Sequence, residues 1–359
     1  MTLTELDKNI LVAPLNWGLG HATRCIPIIR GLEESGFSPI LASDGEALAL
    51  LQKEFPHLKS LELPSYEIEY AKDGADFKWK MLKNMPKMMD AILNEKKIVK
   101  KWVKEFKLLG IISDNRLGVF SKKVSSVFIT HQLNVLTGNT TWITSKLHQH
   151  IIKKYDECWV PDYEDAPNLT GKLGHLKAPL EHIKYIGPLS RFEKKELPMR
   201  YDLMVILSGP EPQRSILENQ LRERLFDYKG KAVFISGKVA LQQSKIEIEN
   251  VTYYNFMTTS QLEKTFNESK IVLCRSGYTT VMDLAKLEKK AFFIPTPGQY
   301  EQEYLAKRLK KNGLFPYAEQ GNFNLENLLE IDLYKNIELK PKPIHWKNLF
   351  CLFERKGEL

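Results

Sequence analysis

The chain has 359 residues, 43% of them hydrophobic and 27% charged, with a formal charge of +8. That length exceeds one ordinary core and suits two domains of about 150–180 residues, and the balance is that of a folded globular protein. No apolar run approaches the roughly 18–20 residues that cross a bilayer, and Cys25, Cys158, Cys274 and Cys351 have no paired spacing. The opening MTLTELDKNILVAP lacks a basic segment followed by an apolar one, so the expectation is a cytoplasmic protein without a disulfide framework or zinc cluster.

Short β-branched runs alternate with helix-length amphipathic stretches. In the first half the predicted strands are 9–14, 39–43, 58–63, 109–113, 126–130 and 157–161, with helices starting near Gly20, Gly45, Phe77 and Asn139. A second series places strands at 201–208, 231–236, 251–256, 270–275 and 291–295. Helices at 212–226, 259–268, 278–288 and 299–312 separate them. Two such series predict an α/β protein of two Rossmann-like, doubly wound parallel-sheet domains facing a cleft. IGPLSRFEKKELPMR at 186–200 has no periodicity and reads as the linker, giving domains at 1–190 and 199–340. After Pro341 and Pro343, HWKNLFCLFERK reads as a short amphipathic helix, within 342–357, that packs back on the first domain.

The charge is concentrated. Residues 72–107 carry eleven lysines against five acids, with Phe77, Trp79, Met81, Leu82, Met85, Met88, Met89, Ile92, Trp102 and Phe106 interleaved. Two readings stay open: a helical pair with solvated lysines, or a surface that meets anionic lipid headgroups. The stretch has no arginine and no binding module of the nucleic-acid kind, so no nucleic-acid partner is expected.

In open parallel sheets, ligands bind at the carboxyl ends of the strands, where loops meet helix N-termini. Three such loops carry chemistry. In NILVAPLNWGLGHATR, Gly18 and Gly20 permit close approach, a helix N-terminus follows, and His21 can take a proton near neutral pH. The same residues also suit a structural turn with a capping histidine. A dinucleotide fingerprint needs a third glycine where Thr23 stands, although Asp44 would serve it as ribose ligand. LSGPEPQR at 207–214 puts Ser208 and Gly209 in an anion-binding or a plain structural turn. In KIVLCRSGYTTVMDLAKLEKKAFFIPTPGQYEQEYLA, Arg275 ends a strand and Ser276–Gly277 turns into a helix, suiting a diphosphate without a metal. Asp283 is placed to accept from a ribose diol, and Glu301 and Gln302 to read sugar hydroxyls, with a helix-cap role open for Glu301.

Together these motifs resemble family 28 glycosyltransferases of the GT-B fold. Its members include the enzyme that adds N-acetylglucosamine to the lipid-linked peptidoglycan precursor and the monogalactosyldiacylglycerol synthases. The likeness spans most of the chain and is specific at NWGLGHATR and at RSGYTTVMDLA followed by PTPGQYEQEYLA. The resemblance implies that His21 is the histidine of the glycine loop, a base or acceptor-positioning group; Asn16, Gly18 and Gly20 of that loop are expected on the acceptor side, with His131 in ITHQL as a further candidate there. It implies that Arg275, Ser276, Gly277 and Thr280 wrap the nucleotide diphosphate, and that Arg191, beside Gly187 and Pro188, helps hold phosphate. Asp283 falls where relatives carry a longer glutamate. Ser208 and Gly209 match a glycine-rich turn into which Pro210 and Pro212 intrude, and the loop at 16–21 lacks the family's longer glycine run.

The expected reaction is therefore transfer of a hexose or N-acetylhexosamine from a UDP-sugar to a hydroxyl acceptor, lipid-linked or envelope-related. It inverts the anomeric carbon and uses no cofactor or metal, and His21 or Asp114 is the base. Asp114 suits a turn or helix-cap role equally well. The nearest approach to a metal-binding Asp-x-Asp is DYED at 162–165, which reads as a loop. The partners expected are the UDP-sugar, the acceptor and, through 72–107, the inner face of the cytoplasmic membrane. The rival readings are a UDP-sugar 2-epimerase, a dinucleotide-dependent oxidoreductase and a non-catalytic nucleotide-binding protein.

Overall fold

The computed structural model describes residues 8–66, 74–136, 141–178, 180–209, 211–238, 240, 242–335 and 344–355, with backbone alone for 74–85, 143 and 355. The chain divides into two compact units. One is built from Met1–Glu69, Trp79–Leu189 and Lys342–Leu359, the other chiefly from Ser190–Pro341.

In the first unit β1 (Asn9–Pro14), β2 (Ser38–Ser43), β3 (Ser60–Glu62), β4 (Gly110–Asp114), β5 (Ser125–Ile129), β6 (Glu157–Val160) and β7 (Ile183–Tyr185) form one sheet. Its order is β3-β2-β1-β4-β5-β6-β7, and every pair is parallel. β4 and β5 are buried along their whole length, which is why they read as continuous apolar runs and not as alternation. α1 (Gly20–Glu34), α2 (Gly45–Glu54), α3 (Gly74–Glu105) and α4 (Thr141–Ile152) connect the strands. Val99 and Val103 of α3 pack on Leu11, Ile40 and Ile111 in one core, and Phe128, Ile152 and Val160 build another.

In the second unit β8 (Tyr201–Ile206), β9 (Ala232–Ile235), β10 (Lys245–Ile248), β11 (Val251–Tyr254), β12 (Ser269–Cys274) and β13 (Lys290–Phe293) form a second sheet. Its order is β10-β11-β9-β8-β12-β13, parallel except for the β10–β11 hairpin. α5 (Gln213–Leu225), α6 (Thr259–Asn267), α7 (Tyr278–Leu287) and α8 (Tyr300–Lys311) follow the strands. Leu203, Phe234, Leu273 and Phe292 meet Leu217 and Leu221 in its core.

Two predicted features change. The helical pair over 72–107 is a single helix, α3, running through Pro86. Proline lacks a backbone donor and crowds the preceding turn, which favours a break in the sequence; the helix nevertheless continues past it, and Ala91 and Ile92 just beyond pack on Leu15 and Tyr66. The strands β7 and β10 were not expected. β10 is exposed along its whole length and β7 carries no fully buried residue, so neither has an apolar face to announce it. The helix start expected near Asn139 and the aromatic and methionine side chains at 77–85 lie outside the described residues.

The C-terminal helix α9 (Trp346–Arg355) covers the α1 and β4 side of the first unit. Phe350 and Phe353 meet Phe37 edge-on at 5.9 and 6.2 Å, and the Ser125 hydroxyl donates to the Leu352 carbonyl at 2.9 Å. Phe353 occupies the space a Cβ on Gly110 would need, and Trp346 does the same at Gly31. With Phe353 wholly buried, Phe353→Ala is expected to cost the first unit about 3–5 kcal/mol in a denaturant titration; a change under about 0.5 kcal/mol would mean that α9 is not part of that core.

Candidate active site

Both sheets reverse their strand order once, between β1 and β4 in the first and between β8 and β12 in the second. The carboxyl ends of those four strands are where parallel sheets leave room for a ligand. The loops singled out in the sequence lie at these two places.

At the first, β1 runs into Asn16–Leu19 and then α1, while β4 ends at Asp114. Gly18 has φ of +74°, a left-handed value that glycine adopts without strain. His21, in the first turn of α1, sets its Nδ1 at 2.8 Å from Asp114 Oδ1. Arg24, one turn further along the same helix face, binds both oxygens of Asp114 through Nε and Nη2. Its Nη1 donates to His131 Nδ1 at 2.9 Å, and its Nη2 lies 2.9 Å from His21 Nδ1. Asp114 has no exposed surface, Arg24 is 2% exposed and His131 6%. Burial alone would raise the Asp114 carboxyl, but Arg24 and His21 outweigh it and hold it well below the usual carboxylate range. Burial lowers His21 below its ordinary value; Asp114 opposes this, and Arg24 and His131 add to it.

His21 Nδ1 stands between a carboxylate oxygen of Asp114 at 2.8 Å and Arg24 Nη2 at 2.9 Å, and with the ring proton on Nδ1 it donates to the carboxylate. In the neutral ring the Nε2 lone pair is then open, and Nε2 meets no protein partner among the described residues. Asp114 has both oxygens engaged by His21 and Arg24 and no exposed surface. Asn16 binds Asp44 at 3.1 Å and accepts from Ala47 N at 3.3 Å, pinning the loop to the start of α2. Asp44 itself pairs with buried Arg116, and Thr23 donates to the Gly20 carbonyl. Asp44 is thus tied up in protein contacts, which removes the ribose ligand that the dinucleotide reading needs.

At the second place, Ser208 and Gly209 follow β8 and are exposed, and Gly209 has φ of +102°. Pro210 lies outside the described residues. Gly277 is the N-cap of α7 with no side-chain cap, and the space beside its Cα is open. Thr280 is half-buried on the same helix start. Arg275, expected at the diphosphate, is held by main-chain carbonyls. It is 1% exposed, and donates to the carbonyls of Ile294 and Pro295 at 3.1 Å and of Gln213 at 2.9 Å. It thereby ties together the loops that follow β8, β12 and β13, and burial brings its pKa down to about 10. Ser276 is buried and donates to the Gln302 carbonyl at 2.8 Å. Gln302 accepts from Thr296 N at 2.9 Å and donates to Gln299 at 2.6 Å, which shapes the PTPGQ loop. Glu301 stands beside it, half-buried, in the first turn of α8.

Asp283 accepts from the Ser190 hydroxyl at 2.6 Å, and burial pushes its carboxyl up to about 7 against the pull of Ser190 and Arg191. Arg191 reaches Thr259 at the start of α6, at 3.1 Å. The linker residues Ser190 and Arg191 are thus anchored within the second unit. In DYED, Asp162 is wholly buried and accepts from Tyr163 N, Leu169 N and Thr170 N, so its carboxylate closes a loop.

Sequence reasoning missed Arg24, Arg116 and Ser190. For Arg24 a signal existed: it is the one charged residue among Ala22, Cys25, Ile26, Ile28 and Ile29, on a helix face that must be buried.

The fold is that of the GT-B glycosyltransferases. The kitacinnamycin glycotransferase superposes with a TM-score of 0.62 at 12% identity, covering 98% of this chain and 95% of that one. MurG of Acinetobacter baumannii gives 0.57 at 14%, covering 97% and 99%. Residues 213–342 match the Glycosyltransferase family 28 C-terminal domain, as the resemblance at RSGYTTVMDLA implied. Among curated relatives, the UDP-N-acetylglucosamine–N-acetylmuramyl-(pentapeptide) pyrophosphoryl-undecaprenol N-acetylglucosamine transferase of Buchnera aphidicola subsp. Schizaphis graminum is 25% identical over 254 residues. That match covers 68% of this chain and 67% of the relative. The Haemophilus ducreyi enzyme of the same name is 24% identical over 252 residues, 68% of each.

Arg275→Ala leaves three carbonyls without their charged donor and is expected to destabilise the second unit by about 3 kcal/mol or more in a denaturant titration. A loss below about 0.5 kcal/mol would instead mark Arg275 as a ligand-facing side chain with no part in the fold.

Proposed function

We propose that the protein moves a hexose or N-acetylhexosamine from a UDP-sugar to a hydroxyl of a lipid-linked acceptor. The N-terminal domain holds the acceptor and the C-terminal domain the donor. The observation that carries this is the His21–Asp114 contact of 2.8 Å at the first switch point, in a chain whose residues 213–342 match the Glycosyltransferase family 28 C-terminal domain. Relatives named as UDP-N-acetylglucosamine transferases acting on a pyrophosphoryl-undecaprenol acceptor support the substrate classes. The same relatives are transferases, which disfavours the 2-epimerase reading.

In this mechanism His21 Nε2 takes the proton of the acceptor hydroxyl as its oxygen bonds to the anomeric carbon. The bond from that carbon to the β-phosphate oxygen breaks, its electron pair leaves with UDP, and the configuration inverts. Asp114 keeps the ring in the productive tautomer and stabilises the imidazolium, in the way a buried carboxylate serves a catalytic histidine elsewhere. His131 supports the acceptor side through Arg24. For the donor, the exposed Ser208–Gly209 turn and the uncapped start of α7 at Gly277 and Thr280 supply N–H groups and hydroxyls to the diphosphate. Arg275, Ser276 and Gln302 hold that cradle in shape. Asp283, with Ser190, takes the ribose diol, Arg191 the phosphate side, and Glu301 the sugar hydroxyls. No metal is required, because helix N-termini carry the leaving group's charge. Lys87, Lys97, Lys100, Lys101 and Lys104 of α3 are exposed, which supports a peripheral position on the cytoplasmic face of the membrane, each adding about 1 kcal/mol toward anionic lipid. No helix among the described residues is long and apolar enough to cross a membrane.

The test is transfer of labelled sugar from UDP-N-acetylglucosamine to lipid extract in the presence of a chelator. His21→Ala is expected to lower kcat about 10²–10⁴-fold while leaving UDP affinity unchanged. Because the base works only when unprotonated and burial lowers His21 below 6.5, the wild-type rate is lost as pH falls and levels off above a midpoint under 6.5. Wild-type transfer by His21→Ala would remove His21 as the base.

A further inference from the structure

The two edges of the second sheet differ. On the β13 edge, Phe293 N donates to the Pro316 carbonyl at 3.0 Å, and the Phe293 carbonyl accepts from Ala318 N at 3.1 Å, so a later segment covers that strand. On the other edge stands β10, paired with β11 alone and exposed at every residue.

The hairpin fixes which backbone groups of β10 face outward. Ile248 lies opposite Val251 across a two-residue turn, which makes that pair the hydrogen-bonded kind, and Ile246 opposite Tyr253 is the next of that kind. The carbonyls of Asn250 and Tyr254 accept from Ala232 N and Ser236 N on the β9 side, at 2.9 Å each, as this register requires. The N–H and C=O groups of Lys245 and Glu247 therefore point away from β11, and they meet no backbone partner among the described residues. The side chains of Lys245 and Glu247 share one face of the strand and form an ion pair. Ile246 and Ile248 share the other face and are 58% and 46% exposed. Edge strands that stay single are usually blunted by a lone charge, a proline or a bulge. β10 is short, but it has no proline, its register with β11 runs unbroken, and its lysine is neutralised by Glu247.

We infer that β10 is a self-association edge, which pairs antiparallel with β10 of a second copy of this chain about a two-fold axis at Ile246. One register satisfies both the backbone and the charges. Lys245 of each copy lies opposite Glu247 of the other as a hydrogen-bonded pair, and each pair exchanges both of its N–H···O=C bonds. Ile246 meets its own counterpart in the non-hydrogen-bonded position, where Cα atoms approach to about 4.5 Å, with Ile248 on the diagonal. A slip of two residues in either direction sets Glu247 against Glu247 or Lys245 against Lys245, and like charges directly opposite oppose pairing. A slip of one residue sets outward backbone groups against inward ones. The contact buries far less than the roughly 1,600 Å² of a standard interface, so the dimer is weak and forms as concentration rises. No residue of β10 enters the donor or acceptor site, and the inference stands apart from the reaction read for the chain.

The experiment is sedimentation of the full chain from about 1 µM to about 1 mM, the range in which a weak contact is populated. The wild type is expected to pass from one chain to two and no further, because a two-fold contact closes on itself. Glu247→Lys and Lys245→Glu each set like charges opposite one another, and each is expected to stay monomeric. An equimolar mixture of those two variants restores opposite charges at both pairs and is expected to dimerise. Glu247→Pro removes an outward donor and leaves the β11 ladder its bonds; it is expected to be monomeric with the wild-type circular dichroism spectrum, which separates lost pairing from lost fold. A wild type that stays monomeric throughout leaves the edge to a strand of another protein, or to none, and overturns the inference. A dimer that survives both charge reversals, or a mixture of the two that stays monomeric, overturns it as well.

Discussion

The bidentate pair between Arg24 and Asp114 is the contact on which the first half of the molecule depends. It joins α1 to the end of β4 across the point where the strand order reverses, and it is closed to water on the carboxylate side. Burying two charges is costly, and removing either partner alone typically costs about 3–5 kcal/mol because the other is left unpaired. A fold that needed only stability would place apolar residues there. Retaining the ions makes sense where their charge is used, and His21 and His131 are the groups within reach that can use it.

A second buried ionic network supports the first from the side. Arg116 binds Asp44 and Glu95 and donates to the carbonyls of Pro14 and Pro64, at 3.0 and 3.1 Å. Glu95 also accepts from Tyr66 at 2.7 Å and from Gly118 N at 3.0 Å. These bonds fix the ends of β1, β2 and β4 relative to α3, and so fix the loop that carries Asn16 and Gly18. In the second unit Arg275 has the corresponding task, holding three loops by their carbonyls. In both halves buried arginines set the frame, while the turn at Ser208–Gly209 is left exposed and the start of α7 at Gly277 without a side-chain cap.

Much of this was legible in the sequence, and for identifiable reasons. The β1 boundaries and the turn into α1 follow from a five-residue apolar run, two glycines and a helix-length apolar pattern. The β12–α7 turn follows from the same signals at Arg275–Gly277. The likeness to family 28 was legible because both motifs are local, each within a dozen residues. What was not legible is what distance in sequence hides. Asp114 could be placed at the end of a strand, but nothing local pairs it with Arg24, 90 residues earlier. Ser190 likewise meets Asp283 across 93 residues. Arg275 stands where the resemblance puts the diphosphate, and its bonds to three loops go to carbonyls distant in the chain, which no local pattern announces. The strands β7 and β10 escaped because short, exposed edge strands carry no alternation of apolar and polar residues.

The central claim, a UDP-sugar transferase, is tested most directly by calorimetric titration of the purified protein with UDP in the presence of a chelator, with NADH as the comparison. The account predicts UDP binding in the micromolar range (about 8 kcal/mol) and no competing preference for NADH. Absence of UDP binding, or tighter binding of NADH, would contradict it.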